Sequence, residues 1–552
     1  MKLLEIYILL QHVYLFPIMS TMETLKRMPV GVQSFEIIRT SPYVYVDKTC
    51  LIPRLEKAGG AYFLSRPRRF GKSLFISTLE AYFKGRKELF EGLFIEKFKA
   101  EHGEEWENYP VLKIDLSAQK YTNEESLNII LNHYLQTWCA DHKIQVSSPA
   151  PQIGFENVIK SLYDREKKRV VILIDEYDSP LLATLDNEPL HDQYRKTLKA
   201  FYGVIKKMNE YIHLSFITGV TKFSKVSIFS DLNNLDDISI DGNYSSICGI
   251  TEEELHANFA FYVEALASKY GNSYDEMLNI LRRKYDGYRF SEKEEKIYNP
   301  FSLLSTFEKK KLLNYWFATG TPTFMIHLFE QNYFKIPDLN ENVPLSLRIL
   351  DNYRVDYKNI APLLYQTGYL TIKKYDEELN SLIVGLPNDE VRYAFFGNLM
   401  DVHMTCDAES YGVFMIDEFL HGMRAGDIER VLTLIKSLMA SIPYDSLPPD
   451  KLFLREHNYQ TTIYLIFTLM GQYTRSEVHS SAGRSDVEVE TSDGIYIFEF
   501  KVGGIPSDAI AQIKASGYAT KHEASGKSVF LVGVVVNPDE RTLAEWVIEK
   551  VR

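Results

Sequence analysis

The chain has 552 residues, of which 45% are hydrophobic and 25% charged, and this composition is typical of a folded globular protein and excludes long disordered regions. The formal net charge of −12 excludes nucleic-acid binding by bulk positive charge, although it is compatible with a locally basic groove. Four cysteines, Cys50, Cys139, Cys248 and Cys406, are far apart and form no CxxC pair. A disulfide scaffold or cysteine-rich zinc module is therefore excluded, and a reducing cytoplasm is the expected compartment.

Residues 1–20 are the only segment with any targeting character. Lys2 precedes an apolar run, but Glu5 and His12 interrupt that run, and no small-residue cleavage site follows. We therefore expect residues 1–24 to be an extension outside the fold. A start codon assigned too far upstream would explain it. A secreted or anchored protein is an alternative that rests on this segment alone. No later run approaches the roughly 18 apolar residues of a membrane span, so no membrane partner is expected.

A short strand, a basic turn and an amphipathic helix follow one another between residues 62 and 80. This order predicts a phosphate-binding loop, in which Gly71 lets the backbone approach the phosphates and Lys72 supplies a cation. Ser73 would ligate Mg²⁺ at the N-terminus of the helix, where free N–H groups favour anions. Arg69 in the same turn is predicted to contact the nucleotide. Arg66 stands where G-x-x-x-x-G-K-[ST] has its first glycine, so a second element is needed.

The second element is the run VVILIDE over residues 170–176, which is apolar until it ends in two carboxylates. An unbroken apolar run predicts a central parallel strand that is covered on both faces. Carboxylates at the C-terminal end of such a strand lie where open α/β sheets bind ligands. We therefore expect Asp175 to complete the Mg²⁺ shell and Glu176 to polarise the attacking water.

Two further strands are predicted at residues 111–116 and 213–219, with helical patterns between the strands. Alternating strands and helices predict a parallel sheet with helices on both faces. Thr218, at the end of the last strand, is a candidate sensor of the γ-phosphate, with Lys222 or Lys225 just beyond it. A role for Thr218 as a cap of a turn stays open, as does a decayed fold that no longer binds nucleotide.

The runs SRPRRFGKSL, VVILIDEYDSPLL and ITGVTKFSKVSIFSDLNNLDDIS resemble an AAA-ATPase-like family that is widespread in anaerobic bacteria. Residues 28–35 and 45–49 are similar to segments with which members of that family open. The resemblance covers roughly residues 25–239. It implies a P-loop domain over residues 25–250, related to signal-transduction-type ATPases, and ATP with Mg²⁺ as its cofactors.

Residues 251–445 are predicted to be mainly helical, with a helix followed by a hairpin between residues 362 and 395 that is typical of a winged helix. Lys373 and Lys374 are followed at once by three acidic residues, so this element is not expected to read DNA. Arg289 has two interpretations, a trans-acting cation near the nucleotide or part of a packed corner between domains, and the second is favoured.

The last hundred residues contain a second group of candidate catalytic residues. Two alternating strands flank an Asp-Gly turn, which predicts a β-hairpin. Asp486 lies on the first strand, and Glu499 and Lys501 lie two residues apart on the next, so those two share a face. Two carboxylates and a lysine in this arrangement can hold Mg²⁺ and orient a water for attack at phosphorus. Glu456, on the helix predicted before the hairpin, is a further candidate ligand.

The order helix, hairpin, helix, strand over residues 446–552 resembles the PD-(D/E)xK nuclease superfamily. The resemblance implies metal and catalytic roles for Asp486, Glu499 and Lys501, and an accessory role for Gln512. The predicted fold class is therefore α/β, with a P-loop NTPase parallel sheet, a helical and winged-helix-like middle, and a C-terminal α/β PD-(D/E)xK nuclease-like domain.

The predicted function is an ATP-binding protein and ATPase coupled to a Mg²⁺-dependent nuclease. Nucleic acid is the expected partner, with DNA favoured over RNA, and homo-oligomerisation is left open. The alternative is a nucleotide-dependent switch or scaffold whose nuclease-like domain is catalytically silent and binds a partner. That alternative is favoured by the charge of residues 445–552, where 11 Lys and Arg stand against 15 Asp and Glu.

Overall fold

The structure is a computed structural model that describes residues 26–551, apart from 118, 147–149, 186, 223–233, 294, 317–342, 348–349, 351–360, 380, 405–410, 442–462, 464–465, 470–474, 482–483, 492–493, 518–521, 523–525, 538–539 and 541. The predicted extension at residues 1–24 thus lies outside the described residues. None of the helices in the described part of the chain is long and apolar enough to cross a lipid bilayer.

The described residues separate into two compact units, the first within 1–316, 345–355 and 362–382 and the second within 317–344, 356–361 and 383–552. The division of the chain into four segments stays a prediction.

The strands, in chain order, are β1 (Gly60–Ser65), β2 (Val111–Asp115), β3 (Val170–Asp175), β4 (Ile212–Gly219), β5 (Leu235–Asp237), β6 (Val343–Ser346), β7 (Thr371–Asp376), β8 (Ser381–Gly385), β9 (Arg475–Ser481), β10 (Arg484–Glu490), β11 (Gly494–Val502), β12 (Ser528–Asn537) and β13 (Thr542–Lys550).

The α-helices are α1 (Phe35–Thr40), α2 (Ile52–Ala58), α3 (Lys72–Phe83), α4 (Phe94–His102), α5 (Ser126–Asp141), α6 (Pro151–Glu166), α7 (Ser179–Leu182), α8 (Glu188–Lys207), α9 (Glu252–Tyr270), α10 (Tyr274–Tyr285), α11 (Pro300–Lys309), α12 (Ala361–Thr367), α13 (Asp389–Met404), α14 (Tyr411–Ala425), α15 (Ile428–Ser441) and α16 (Pro506–Ala515). Short 3₁₀ helices occur at Thr49–Leu51, Lys87–Phe90 and Asn209–Tyr211.

The first unit is built on a five-stranded sheet in the order β2-β3-β4-β1-β5, and every neighbouring pair is parallel. All six residues of β3 are buried, as expected of a central strand with helices on both faces. The main core of the sheet includes apolar residues of α5, α6 and α8, among them Phe155 and Phe201, whose rings stack 4.6 Å apart. The predicted α/β fold with a parallel sheet is confirmed.

The helical region after this sheet begins with two helices, α9 and α10. α9 starts at a capping box formed by Thr251 and Glu254. It ends at Gly271, whose positive φ of 69° stops the helix, and Ser273 then caps α10. Farther along, β6, β8 and β7 form a three-stranded sheet in that order, and the predicted helix and hairpin correspond to α12, β7 and β8.

The second unit contains a five-stranded mixed sheet in the order β13-β12-β11-β10-β9. The pair β11–β12 is parallel, and the other pairs are antiparallel. The predicted hairpin corresponds to β10 and β11, followed by α16 and β12 in the predicted order. The edge strands β9 and β13 were not predicted from the sequence.

Candidate active sites

The basic turn between β1 and α3 has a tightly defined backbone. Gly71 has a φ of 100° and immediately precedes the first residue of α3. Arg69 also has a positive φ, 68°, which is unusual for a residue with a side chain. The turn therefore places its left-handed residues at positions 69 and 71.

Arg66 explains why this turn does not need a glycine at its start. Its side chain is buried, with a relative exposure of 1%, and its φ is not positive. The guanidinium donates hydrogen bonds to the backbone oxygens of Ser65 at 2.9 Å, Ser239 at 2.6 Å and Tyr244 at 3.2 Å. It also lies 4.3 Å from the ring centroid of Phe290. Arg66 thus fixes the start of the turn to neighbouring segments of the first unit.

The Lys72 ammonium lies under this turn and beside the end of β3. Its Nζ atom is 3.1 Å from Oε1 of Glu176, and the lysine side chain is only 3% exposed. Nζ also donates to the backbone oxygens of Arg66 at 3.0 Å and Pro67 at 3.2 Å. Glu176 has a φ of 53°, so the chain turns sharply directly after the strand. The structure therefore brings together the lysine and the glutamate that the sequence placed about a hundred residues apart.

Asp175, the last residue of β3, contacts the neighbouring strand β4 and the helix α3. Its carboxylate accepts a 2.5 Å hydrogen bond from Thr218 Oγ1 and another from the Ser73 hydroxyl. Burial raises the pKa of Asp175, and the neighbouring charge of Glu176 raises it further, whereas Ser73, Thr218 and Lys72 lower it. The structure therefore brings Ser73, Asp175 and Thr218 into one connected group, and their predicted Mg²⁺ and γ-phosphate roles stay predictions.

The strand order places β4 between β1 and β3, so the loop after β4 contacts both neighbours. Asp178, which is fully buried, accepts hydrogen bonds from the backbone N of Thr221 at 2.7 Å and from its hydroxyl at 2.6 Å. Burial raises the pKa of Asp178. Sequence reasoning missed this residue, although its position three residues after Asp175 in the run DEYD was a signal. Asp178 fixes the backbone just beyond Thr218.

A cavity of about 420 Å³ opens beside the P-loop, a volume in the range of small-molecule sites. Its charged lining residues are Arg68, Arg69, Lys72 and Glu176, so three cations face one anion. The guanidinium of Arg69 lies 4.7 Å from the ring centroid of Phe301, which also lines the cavity. The excess of positive charge fits a polyanionic ligand such as a triphosphate.

The other candidate cations of the first unit are held by protein groups. Lys222 is buried and its Nζ lies 2.8 Å from Oδ2 of Asp237, and Lys225 lies outside the described residues. The guanidinium of Arg289 donates to backbone oxygens, including those of Ser291 at 3.1 Å and Lys293 at 2.6 Å. These bonds close its own loop, and the packed-corner interpretation stays a prediction.

In the second unit, the register of the hairpin brings the predicted nuclease residues together. Asp486 of β10 lies directly opposite Glu499 of β11, so the two positions share a face of the sheet. Lys501 lies on the same face, two residues farther along β11. The backbone N of Thr491 donates to the Gly494 oxygen at 2.8 Å, and Gly494 N donates back to the Thr491 hydroxyl at 3.0 Å. The turn thereby holds the register.

Glu499 follows a run of apolar residues on one face of β11. Ile495 and Ile497, which precede it on the same face of β11, pack against Ile510 and Ile513 of α16. The Glu499 side chain is itself 1% exposed, whereas Lys501 is half-buried.

The first turn of α16 lies beside this glutamate. Gly533 of β12 is paired with Glu499, and a Cβ atom at Gly533 would lie 2.4 Å from the backbone oxygen of Pro506. Gln512, the predicted accessory residue, is half-buried in the same helix. For Asp486 the structure describes only the backbone, and Glu456 lies outside the described residues. No group of three or more metal-binding side chains occurs within the described part of the chain.

Comparison with known proteins matches both regions. The sequence model of a family described as "Predicted AAA-ATPase" matches residues 29–229, and that of a "PD-(D/E)XK nuclease superfamily" matches residues 454–546. A protein of Azotobacter chroococcum mcd 1, described as "Uncharacterized protein in vnfD 5'region", is 34% identical over 532 residues, which cover 95% of this chain and 99% of the relative.

Proposed function

Because the chain belongs to the AAA-ATPase-like family and has a C-terminal domain of the PD-(D/E)xK nuclease superfamily, we propose that it binds and hydrolyses ATP and cleaves nucleic acid with Mg²⁺. Lys72, Gly71 and Arg69 would contact the phosphates, and Ser73 and Asp175 would hold Mg²⁺, which neutralises charge on the phosphates. Glu176 would orient the attacking water, and Thr218 would contact the γ-phosphate. A loop lysine and a hydroxyl beside acidic residues at the end of a neighbouring strand are also found in other P-loop ATPases.

The ATPase half of the proposal rests on the 3.1 Å contact between Lys72 and Glu176 beside a positively charged cavity. Nearby, the Asp175 carboxylate is bonded to the hydroxyls of Ser73 and Thr218. One cation, two carboxylates and two hydroxyls therefore meet at one edge of the sheet. This set of groups fits a Mg²⁺–triphosphate, because Mg²⁺ keeps several waters and needs few protein ligands.

The nuclease half rests on the register that pairs Asp486 with Glu499 and leaves Lys501 on the same face. Asp486 and Glu499 would hold Mg²⁺, together with Glu456, and Lys501 would orient the water that attacks phosphorus. We favour DNA over RNA as the substrate, and we place the protein in the cytoplasm.

The ATPase half is tested by nucleotide binding to Lys72→Ala. We expect ATP affinity to fall at least about a hundredfold, because a buried cation facing the phosphates is removed. Lys84→Ala is the matched control, since Lys84 lies in the turn after the same helix and only forms a surface ion pair with Glu80. Equal ATP affinity of wild type and Lys72→Ala would contradict this half of the proposal.

The nuclease half is tested by metal-dependent cleavage of single-stranded DNA, duplex DNA and RNA, with and without ATP. Lys501→Ala should abolish cleavage and leave ATP binding intact, whereas Lys514→Ala, which loses an exposed ion pair with Glu549, should behave as wild type. If wild type with Mg²⁺ or Mn²⁺ cleaves none of the three substrates, the nuclease half is wrong.

A nucleotide-dependent switch with a silent nuclease-like domain is the second candidate function. The observation in its favour is the acidic C-terminal region, with 15 acidic against 11 basic residues from 445 to 552. Such a protein would bind ATP and lose that binding in Lys72→Ala, but would show no cleavage that depends on Lys501.

A further inference from the structure

The connection from β11 to α16 begins directly after Lys501. It consists of residues 502–505, here called the VGGI segment, and all four residues are exposed. The relative exposure is 46% for Val502 and 55% for Ile505, although both side chains are large and apolar. Exposing such side chains to water is unfavourable, so the stability of the fold does not account for two of them within four residues.

The backbone of the VGGI segment is fixed at its base and open at its glycines. The backbone N of Gly503 donates to the Val536 oxygen at 3.2 Å, and that of Asp508 donates to the Ile505 oxygen at 3.1 Å. Gly503 and Gly504 have positive φ values of 70° and 87°. A Cβ atom on either glycine would meet no other described atom within 4 Å. The segment is therefore an anchored turn whose tip faces open space.

Ile505 also occupies a position at which isoleucine is unfavourable. It is the N-cap residue of α16, with an extended backbone, and its side chain makes no capping hydrogen bond. Serine, threonine, aspartate and asparagine stabilise a helix at the N-cap, whereas isoleucine does not. Ile505 thus lowers stability both by its exposure and by the missing cap. Such departures from local stability are typical of functional positions.

The sheet places the VGGI segment beside the candidate nuclease site. Lys501 directly precedes the segment, and Glu499 is paired with Gly533 of β12. Because Gly533 has no side chain, the first turn of α16 comes close to it, and a Cβ atom there would lie 2.4 Å from the Pro506 oxygen. The residue that follows Ile505 therefore lies against the strand neighbour of Glu499. A phosphodiester held by Glu499 and Lys501 would bring its flanking bases to the VGGI segment.

We propose that the VGGI segment contacts duplex DNA and that Ile505 inserts between base pairs next to the phosphate that is cleaved. This inference rests on the proposed nuclease activity and adds a substrate class, a duplex that is unstacked at the cleavage site. Proteins that kink DNA insert apolar side chains, isoleucine among them, between base steps. The position of the segment next to Lys501 and Glu499 favours nucleic acid over a protein partner as the ligand of these apolar side chains.

The test compares initial rates of Mg²⁺-dependent cleavage of a DNA duplex and of the same duplex with a central run of mismatched pairs, by the full chain. Mismatched pairs are already open and need no wedge. Ile505→Ser should therefore lower the rate on the matched duplex about tenfold and the rate on the mismatched duplex less than about threefold. Ile505→Leu keeps an apolar side chain and should retain the wild-type ratio of the two rates.

Two further measurements separate a contact with DNA from a structural role. Thermal denaturation of Ile505→Ser should show no loss of stability, because serine is the better N-cap residue. Val551→Ser is the matched control, since Val551 is 52% exposed and its backbone N donates to the Val529 oxygen. Val529 is paired with Ile495, six residues before Lys501, or about 20 Å along β11. This control should leave the ratio of rates unchanged.

The ratio of matched to mismatched cleavage separates this inference from the proposed function. If the ratio in Ile505→Ser equals that of wild type, or if Val551→Ser lowers it equally, the VGGI segment does not open the duplex and the nuclease proposal still stands. Cleavage of RNA or single strands by wild type without cleavage of any duplex would overturn the inference alone. If wild type cleaves no nucleic acid, both the inference and the nuclease half of the proposal are wrong.

Discussion

The two candidate sites use similar side chains but hold them in different ways. Each combines two acidic residues and one lysine. In the first unit, side chains from different elements contact one another: Lys72 at the start of α3 contacts Glu176 just after β3, and Asp175 of β3 contacts Thr218 of β4. In the second unit, Asp486 and Glu499 are brought together by the register of one hairpin.

This difference indicates which changes each site tolerates. A site built from contacts between loops depends on buried residues that fix those loops, even when they are remote from the ligand. A site built on register depends on the ladder of backbone hydrogen bonds and tolerates loss of a side chain without loss of shape. The predictions below test this contrast.

The largest effect is expected for Glu499→Gln. The amide keeps the shape of the side chain but loses the charge that would hold Mg²⁺, so the initial rate of metal-dependent cleavage should fall about a thousandfold. Stability should be unchanged or increased, because a buried charge is removed. Glu549→Gln, at an exposed glutamate of β13, is the control. A Glu499→Gln rate within tenfold of wild type would contradict a catalytic hairpin.

Arg66→Gly restores the consensus glycine of the motif and should nevertheless destabilise the first unit. It removes a buried guanidinium that bonds the backbone oxygens of Ser65, Ser239 and Tyr244. We expect the free energy of unfolding to fall by about 3 kcal/mol, measured by urea denaturation. Arg68→Gly, at the exposed arginine of the same turn, should cost less than about 1 kcal/mol. Equal stability of the two variants would show that Arg66 does not anchor the turn.

Asp178→Asn tests whether a residue outside the cavity positions the site. The substitution weakens the two hydrogen bonds from Thr221, so the end of β4 next to Thr218 should lose its fixed position. We expect ATP turnover to fall about tenfold while the ATP affinity changes less than about threefold. Asp192→Asn, at a surface ion pair with Arg195, is the control. A proportional loss of affinity and turnover would indicate general destabilisation instead.

Asp286→Asn should have an effect of opposite sign, a gain in stability. Burial raises the pKa of Asp286 from 3.8 to about 6. Because the folded pKa lies above the unfolded one, the charged carboxylate costs stability above pH 6, and this cost disappears as the pH falls towards 4. The variant should be more stable than wild type by about 2 kcal/mol at pH 7.5, and this gain should shrink at pH 4.5. The gain in stability is measured by thermal denaturation at both pH values, with Asp275→Asn, at an exposed residue, as the control. A gain that does not depend on pH would contradict a raised pKa of Asp286.

Much of the fold was predictable because its signals are local. The apolar run that forms β3 and the Asp-Gly turn between β10 and β11 each determine their own structure, and the confirmed α/β fold class follows from their order. The edge strands β9 and β13 were missed. β13 alternates between half-buried and exposed residues along most of its length, so pairing with β12 defines it better than its own hydrophobicity does.

The supporting residues of the first site were less predictable, for a related reason. In the sequence, Arg66 is only a departure from the motif. Its role could not be recognised, because its hydrogen-bond acceptors Ser239 and Tyr244 lie more than 170 residues away. Asp178 likewise depends on Thr221, which only the order of strands in the sheet brings near. Motif residues could be named from the sequence, but the contacts that hold them are long-range.

The closed turn between Thr491 and Gly494 has a consequence for how this chain can vary in length. Adding or deleting a single residue there, with pairing shifted by one, would move Asp486 to the far side of the sheet from Glu499 while also exchanging Val487 and Val489 between core and exterior. This short connection is therefore unsuited to affinity tags, reporter insertions or natural length drift. If the proposed nuclease function is correct, chains of this family should keep this connection at constant length.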